Sequence, residues 1–150
     1  MVAWVANTDA VVSMDNDSDS LIDQSDYITT VTQDITISNG EFFVFGLSGS
    51  QRSEGNRSTN GTIGVRPSTD VAGLHYQLLQ IVHPGSGNKI GLKTLTIDYP
   101  DSTAGSFRLS GEAIINDYNK VAQDASGDGS PASHTLSYGI DGDPTLTVLS

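Results

Sequence analysis

Apolar and polar positions alternate with a period of two through most of the chain, which is the spacing of strands buried on one face. Residues 11–14 form one short run of this kind, leading into the acidic stretch 15–20. A longer extended run covers 27–37, with Val31, Ile35 and Ile37 on one face. Asn39-Gly40 predicts a type I′ hairpin, because both residues tolerate positive φ, and 41–45 is then the returning strand. Its Phe42, Phe43 and Phe45 require cover from the domain or from a neighbour. The stretch 46–64 holds five glycines and four serines, with Leu47 and Ile63 as its large apolar residues. Such a segment cannot build a core and is expected to be a long flexible loop or an arm. A short strand is expected at 62–66. The period then changes to 3.6: Val71, Leu74, Leu78 and Ile81 or Val82 predict a helix over 69–82. Ser68 or Thr69 would cap it, Asp70 would favour its positive end, and His83-Pro84-Gly85 would stop it. Alternation resumes at 92–99 and at 107–115, around a turn at 100–105. Two last strands, 134–140 and 145–149, are expected on either side of a turn at Asp141-Gly142-Asp143-Pro144. No repeat of the solenoid kind occurs.

Composition supports a mainly β chain. Val, Ile and Thr number 36, against 15 for Ala, Glu and Lys together, and β-branched residues fit a pleated surface better than a helix. The length of 150 residues fits one domain. With no cysteine, disulfides and thiolate chemistry are excluded. No apolar run approaches the roughly 20 residues of a membrane span, and 1–5 lack the basic and apolar regions of a signal peptide. A reducing interior, or a particle assembled there, is the expected compartment. Charge narrows the partners. Eighteen acids against seven bases give a net charge of −11, and the first base is Arg52. No basic face is available to neutralise phosphates, so a sequence-reading nucleic-acid binder is excluded and anionic membranes are disfavoured.

The candidate chemistry is sparse. Asp15, Asp17, Asp19, Asp23 and Asp26 fall at positions 1, 3, 5, 9 and 12 of a calcium loop. Ser20, however, stands where that loop turns on glycine, Asp26 is shorter than its bidentate glutamate, and the flanks read as strands. His75 and His83 are eight residues apart on the expected helix, about 12 Å, and His134 is remote in sequence. All three read as packing or surface residues. No nucleophile elbow or phosphate-binding loop is present. The chain offers no catalytic constellation, no metal site and no cofactor site, and is expected not to be an enzyme.

The order of features carries a resemblance. The opening 11–17 (Val-Val-Ser-Met-Asp-Asn-Asp), the stretch 21–31, Val44-Phe45-Gly46, the loop–strand–helix succession through 47–82, the run 99–105 and the closing 140–147 together resemble the major tail tube protein of long-tailed bacteriophages and of phage-derived gene transfer agents. The likeness covers about 9–149, and the departure from the pattern is the Gly/Ser content of 46–64. It implies a β-sandwich with one flanking helix and a long hairpin loop. It further implies hexameric rings stacked into a virion tail tube, assembled in the bacterial host cytoplasm around a tape-measure protein. Tail terminator and distal tail proteins would cap the ends, and DNA would be non-specific passing cargo, with no catalytic residue and no cofactor.

Within that frame, 47–61 is expected to reach the adjacent ring through Arg52 and Arg57, with Phe42 and Phe43 covered by a neighbouring subunit. The polar face of the 92–99/107–116 hairpin is the candidate lumen, with the outer wall of the tube as its alternative: Asp98 and Glu112 would repel phosphates and Arg108 would be neutralised across the strand pair, with Asp34 and Glu41 from the first hairpin. Two other classes stay open. A calcium-dependent adhesion module or capsid decoration protein would use Asp15, Asp17 and Asp19 for metal. A carbohydrate-processing enzyme would need a cleft with a raised-pKa carboxylate.

Overall fold

The computed structural model describes residues 9–16, 18–43, 45–46, 49, 51–83, 91–121 and 134–150. The N-terminal 1–8, Asp17, the helix stop at Pro84-Gly85 and the acidic, glycine-rich stretch 124–131 lie outside the described residues. Among the described residues seven strands form one antiparallel sheet: β1 (Val11–Asp15), β2 (Leu21–Asp23), β3 (Ile28–Phe42), β4 (Gln51–Val65), β5 (Lys93–Tyr99), β6 (Phe107–Tyr118) and β7 (His134–Val148). Their order across the sheet is β2-β1-β5-β6-β7-β4-β3. The sheet curls on itself, so that Val31 and Gln33 of β3 face Ile97, Tyr99 and Leu109 of β5 and β6 across a cleft. The two layers of the sandwich are therefore the two halves of one continuous sheet, and the helix α1 (Leu74–Val82) flanks it.

One core joins these elements. Val12, Met14, Ile63, Val65, Leu95, Ile97, Ala113, Leu136 and Tyr138 come from the inward positions of five strands, and Leu74 and Leu78 from α1. Alternation explains the membership: Ile63 and Val65 point in, and Asn60 and Thr62 point out. Tyr138 sits opposite Gly61 on β4, and its hydroxyl donates to the Thr32 carbonyl on β3 at 2.9 Å. Gly61 makes that crossing possible, since a Cβ there would collide with the Thr32 carbonyl and the Tyr138 hydroxyl.

The structure departs from the sequence reading in four places. Asn39-Gly40 is not a turn: β3 runs straight through it to Phe42. A bulge after Ile37, where two residues of β4 oppose Ser38, absorbs the local irregularity. Gly55 lies against the Ser38 carbonyl there, where a Cβ would clash. Secondly, most of 46–64 is no loop. Residues 51–65 are β4, a strand with few large side chains that pairs with β3 along its whole length and with β7 over 60–65. Backbone hydrogen bonds replace the apolar contacts that its composition lacks. Thirdly, the helix begins at Leu74, not at 69. Asp70 accepts the Ala72 N–H at 3.1 Å and the Tyr27 hydroxyl at 2.5 Å, which holds 68–73 as a turn and leaves Val71 exposed. Lastly, Asp141–Pro144 joins no pair of strands. β7 is continuous, and residues 142–144 bulge out opposite Gly111, with Gly142 at φ +74°.

Candidate functional site

Among the described residues, two edges of the sheet carry no partner strand. β2 is a three-residue edge, and β3, at the other end, is a 15-residue edge. β7 supports β4 only up to Asn60, so the pair 35–42 with 51–59 continues as a two-stranded ribbon. That ribbon carries uncovered apolar surface: Ile35 and Ile37 are half-exposed, as is Phe42, while Phe43 and Phe45 are 78% and 108% exposed. Apolar surface is also uncovered at the far ends of β5, β6 and β7, where Tyr99 packs on Phe107 (ring centroids 5.7 Å) beside Leu146 and Val148.

The residues singled out from sequence fall into separate groups. Arg52 stands opposite Glu41 in the ribbon, both exposed. Arg57 stands opposite Ile37 and lines a hollow with Gly142 and Asp143 of the β7 bulge. Asp34 and Glu41 are seven residues apart on β3, an odd spacing that sends them to opposite faces of the strand. Asp98 and Arg108 are paired across β5 and β6, the Arg108 Nε and Nη2 donating to the two carboxylate oxygens at 2.7 and 2.9 Å. The bonds to Asp98 raise the guanidinium's proton affinity above its ordinary value. Asp98 is only 4% exposed, which corrects the view of that face as uniformly wet. Glu112 is exposed and accepts the Thr94 hydroxyl at 2.7 Å.

A surface of which the sequence reading singled out only Asp34 lies on the outer face of β3, β4 and β7. Thr32 pairs with Thr62, Asp34 with Asn60, Thr36 with Ser58, and Thr62 in turn with Ser137. The Thr32 and Thr62 hydroxyls are hydrogen-bonded at 2.9 Å. Among the described residues this ladder carries the Asp34 carboxylate and no cation. Its signal in the sequence is the even-numbered series Thr30, Thr32, Asp34, Thr36, legible only once β4 is known to be a strand.

The aspartates of the calcium-like spacing are dispersed. Asp15 lies in β1 and accepts the Thr94 N–H at 2.9 Å, Asp19 pairs with the buried Lys93 at 2.6 Å, and Asp23 holds the Ser25 N–H and hydroxyl. Among the described residues no three His, Cys, Asp or Glu side chains converge as metal ligands. Among them, too, no helix is long and apolar enough to cross a membrane.

No protein-family model matches the sequence, and no curated protein matches it. Solved structures do. The tail of an empty gene transfer agent particle with C6 symmetry is 12% identical with a TM-score of 0.67, over 96% of this chain and 99% of that one. The SPP1 tail tube is 10% identical with a TM-score of 0.69, over 97% and 81%. The sheath–tube complex of an extracellular contractile injection system in its extended state is 16% identical with a TM-score of 0.68, over 97% and 92%. Across nearly its whole length, the chain has the fold of a tail tube protein.

Proposed function

We propose that this chain is the structural subunit of a phage-type tail tube, built of stacked hexameric rings in a virion tail. The observation that carries the reading is the long edge of β3, which no described strand pairs, together with the uncovered phenylalanines beyond it. An exposed 15-residue edge is an aggregation hazard in a monomer, and a closed ring of copies removes it by pairing each edge with a neighbour. Ring closure would also cover Ile35 and Ile37, and the ribbon tip with Phe42, Phe43 and Arg52 would reach the adjacent ring.

The polar ladder of β3, β4 and β7, with its Asp34 carboxylate, is the surface best suited to line the passage, and Glu112 of β6 adds a further carboxylate beside it. Hydroxyls, amides and scattered negative charge give a phosphate backbone nothing to grip. In this reading Asp98 and Arg108 neutralise each other and Glu41 belongs to the ribbon, so none of the three sets the charge of the lumen. Passing DNA, a tape-measure protein inside the tube, and terminator and distal tail proteins at its ends complete the partners. The role is structural and not enzymatic, and assembly takes place in the bacterial cytoplasm.

Negative-stain electron microscopy of the purified protein, alone and with its tape-measure partner, tests this. Tubes of uniform width with sixfold symmetry in end view are expected. A protein that stays monomeric or trimeric with that partner present would sink the proposal and favour a decoration or adhesion module.

A further inference from the structure

His75 lies in the first turn of α1, and it meets the end of β6 and the start of β7. Its Nδ1 is 2.5 Å from the Tyr118 hydroxyl, and its ring centroid is 4.7 Å from that of His134. Tyr118 and His134 also touch, at 6.1 Å between centroids. Both are buried, at 8% and 1% exposure. His134 Nδ1 lies 2.7 Å from the Asn119 carbonyl; a carbonyl only accepts, so Nδ1 carries the proton and Nε2 the lone pair. That Nε2 is buried with no hydrogen-bond partner. Three elements thus meet at two imidazoles and a phenol.

The groups facing His75 are unfavourable to a second charge. From β6 comes the Tyr118 phenol, whose ionisation burial pushes far above the usual range. From β7 comes His134, and from α1 itself the positive end of the helix dipole. Among the described residues no carboxylate is bonded to any of the three rings. Burial first, and then the neighbouring His134, lower the proton affinity of His75 below the ordinary imidazole value.

We propose that His75, Tyr118 and His134 form an acid-sensitive latch that holds the first turn of α1 against the β6–β7 pair while His75 is neutral and releases it when His75 takes up a proton. The sign follows from linkage. The open state binds a proton on His75 near the ordinary value, about 6.5, and the closed state only at lower pH. Closure is therefore fully favoured above about pH 6.5 and weakens as pH falls towards the lowered closed-state value. One proton changes the opening equilibrium by about tenfold per pH unit in that window. Leu78 and Ile81 anchor the helix in the core beyond the first turn, so the opening is local to that turn and loosens Leu74 there.

Hydrogen exchange of the full-length chain, corrected for intrinsic rates, tests the latch. Between pH 7.5 and 5.5 the amide of Gln77, which donates to the Gly73 carbonyl, and those of the next two residues, which close the first turn of α1, should lose up to about tenfold in protection, while those of β4 and β7 hold. His75→Gln should make first-turn protection independent of pH. Flat protection in the natural protein, or an unchanged pH dependence in His75→Gln, overturns the proposal. Should His75→Gln fail to fold, NMR titration of the imidazoles in the natural protein decides. His75 titrating below the ordinary range, and rising towards it in His134→Gln, supports the latch; titration at or above that range refutes it.

Discussion

Asp98 and Arg108 face each other across β5 and β6 and form a two-pronged ion pair, with the carboxylate buried and the guanidinium partly in water. Removing one member of such a pair leaves an uncompensated charge, whereas removing both can be nearly neutral. Arg108→Leu should therefore lower the melting temperature more than Asp98→Asn with Arg108→Leu together. Thermal unfolding of the two variants checks this. A double variant less stable than the single one would show that Asp98 is solvated in some other way.

This pair also marks how far the sequence could be read. The alternation in 92–99 and 107–116 correctly places Leu95 and Ile97 inward and identifies Arg108 as facing a carboxylate across the strands. It could not reveal that Asp98 is buried, because burial of the outer face depends on the curl of the sheet and on the arginine lying over it. β4 was illegible for a related reason: a strand of Gly, Ser, Thr and Asn has no apolar stripe, and its stability comes from backbone pairing with β3 and β7. Asn39-Gly40 and Asp141-Gly142 are good turn sequences placed inside long strands, where tertiary pairing overrides local preference. The helix face at Leu74, Leu78 and Ile81 was legible from spacing alone, but its start was not, since the turn at 68–73 depends on the contact between Tyr27 and Asp70.

Tyr138 and Gly61 form a second testable unit. Tyr138→Phe removes the hydroxyl that bonds the Thr32 carbonyl and Gln33 Oε1, and should cost about 1 kcal/mol, as a typical internal hydrogen bond does. Gly61→Ala should cost more, about 2–3 kcal/mol, because the new methyl group meets a backbone carbonyl that cannot yield. Urea unfolding measures both. Gly61→Ala with unchanged stability would mean that β3 and β4 can separate freely at this point.

The phenylalanines of the ribbon should matter for assembly and not for folding. Phe43 and Phe45 are exposed in the single chain, so Phe43→Ser with Phe45→Ser should leave stability within about 0.5 kcal/mol of the natural protein. The same variant should fail to form tubes by electron microscopy and sedimentation. Normal tubes from the double variant would remove the ribbon tip from the assembly contacts.

The polar ladder makes the sharpest claim about the passage. Asp34 is exposed on the outer face of β3, next to Thr32 and Thr36 and opposite Asn60, so Asp34→Lys changes charge there without disturbing the core. Six copies per ring would place six cations at one level of the lumen. Each lysine that meets a phosphate adds about 0.9 to the slope of log affinity against log salt, so DNA held in variant tubes should be released steeply as salt rises. Location is read by nuclease protection. DNA retained inside Asp34→Lys tubes is shielded at low salt, whereas DNA bound to an outer surface is digested. Natural tubes, with a carboxylate at that level, should retain none under the same conditions. Variant tubes that bind DNA in a form fully open to nuclease would put this face of β3 on the outside of the tube.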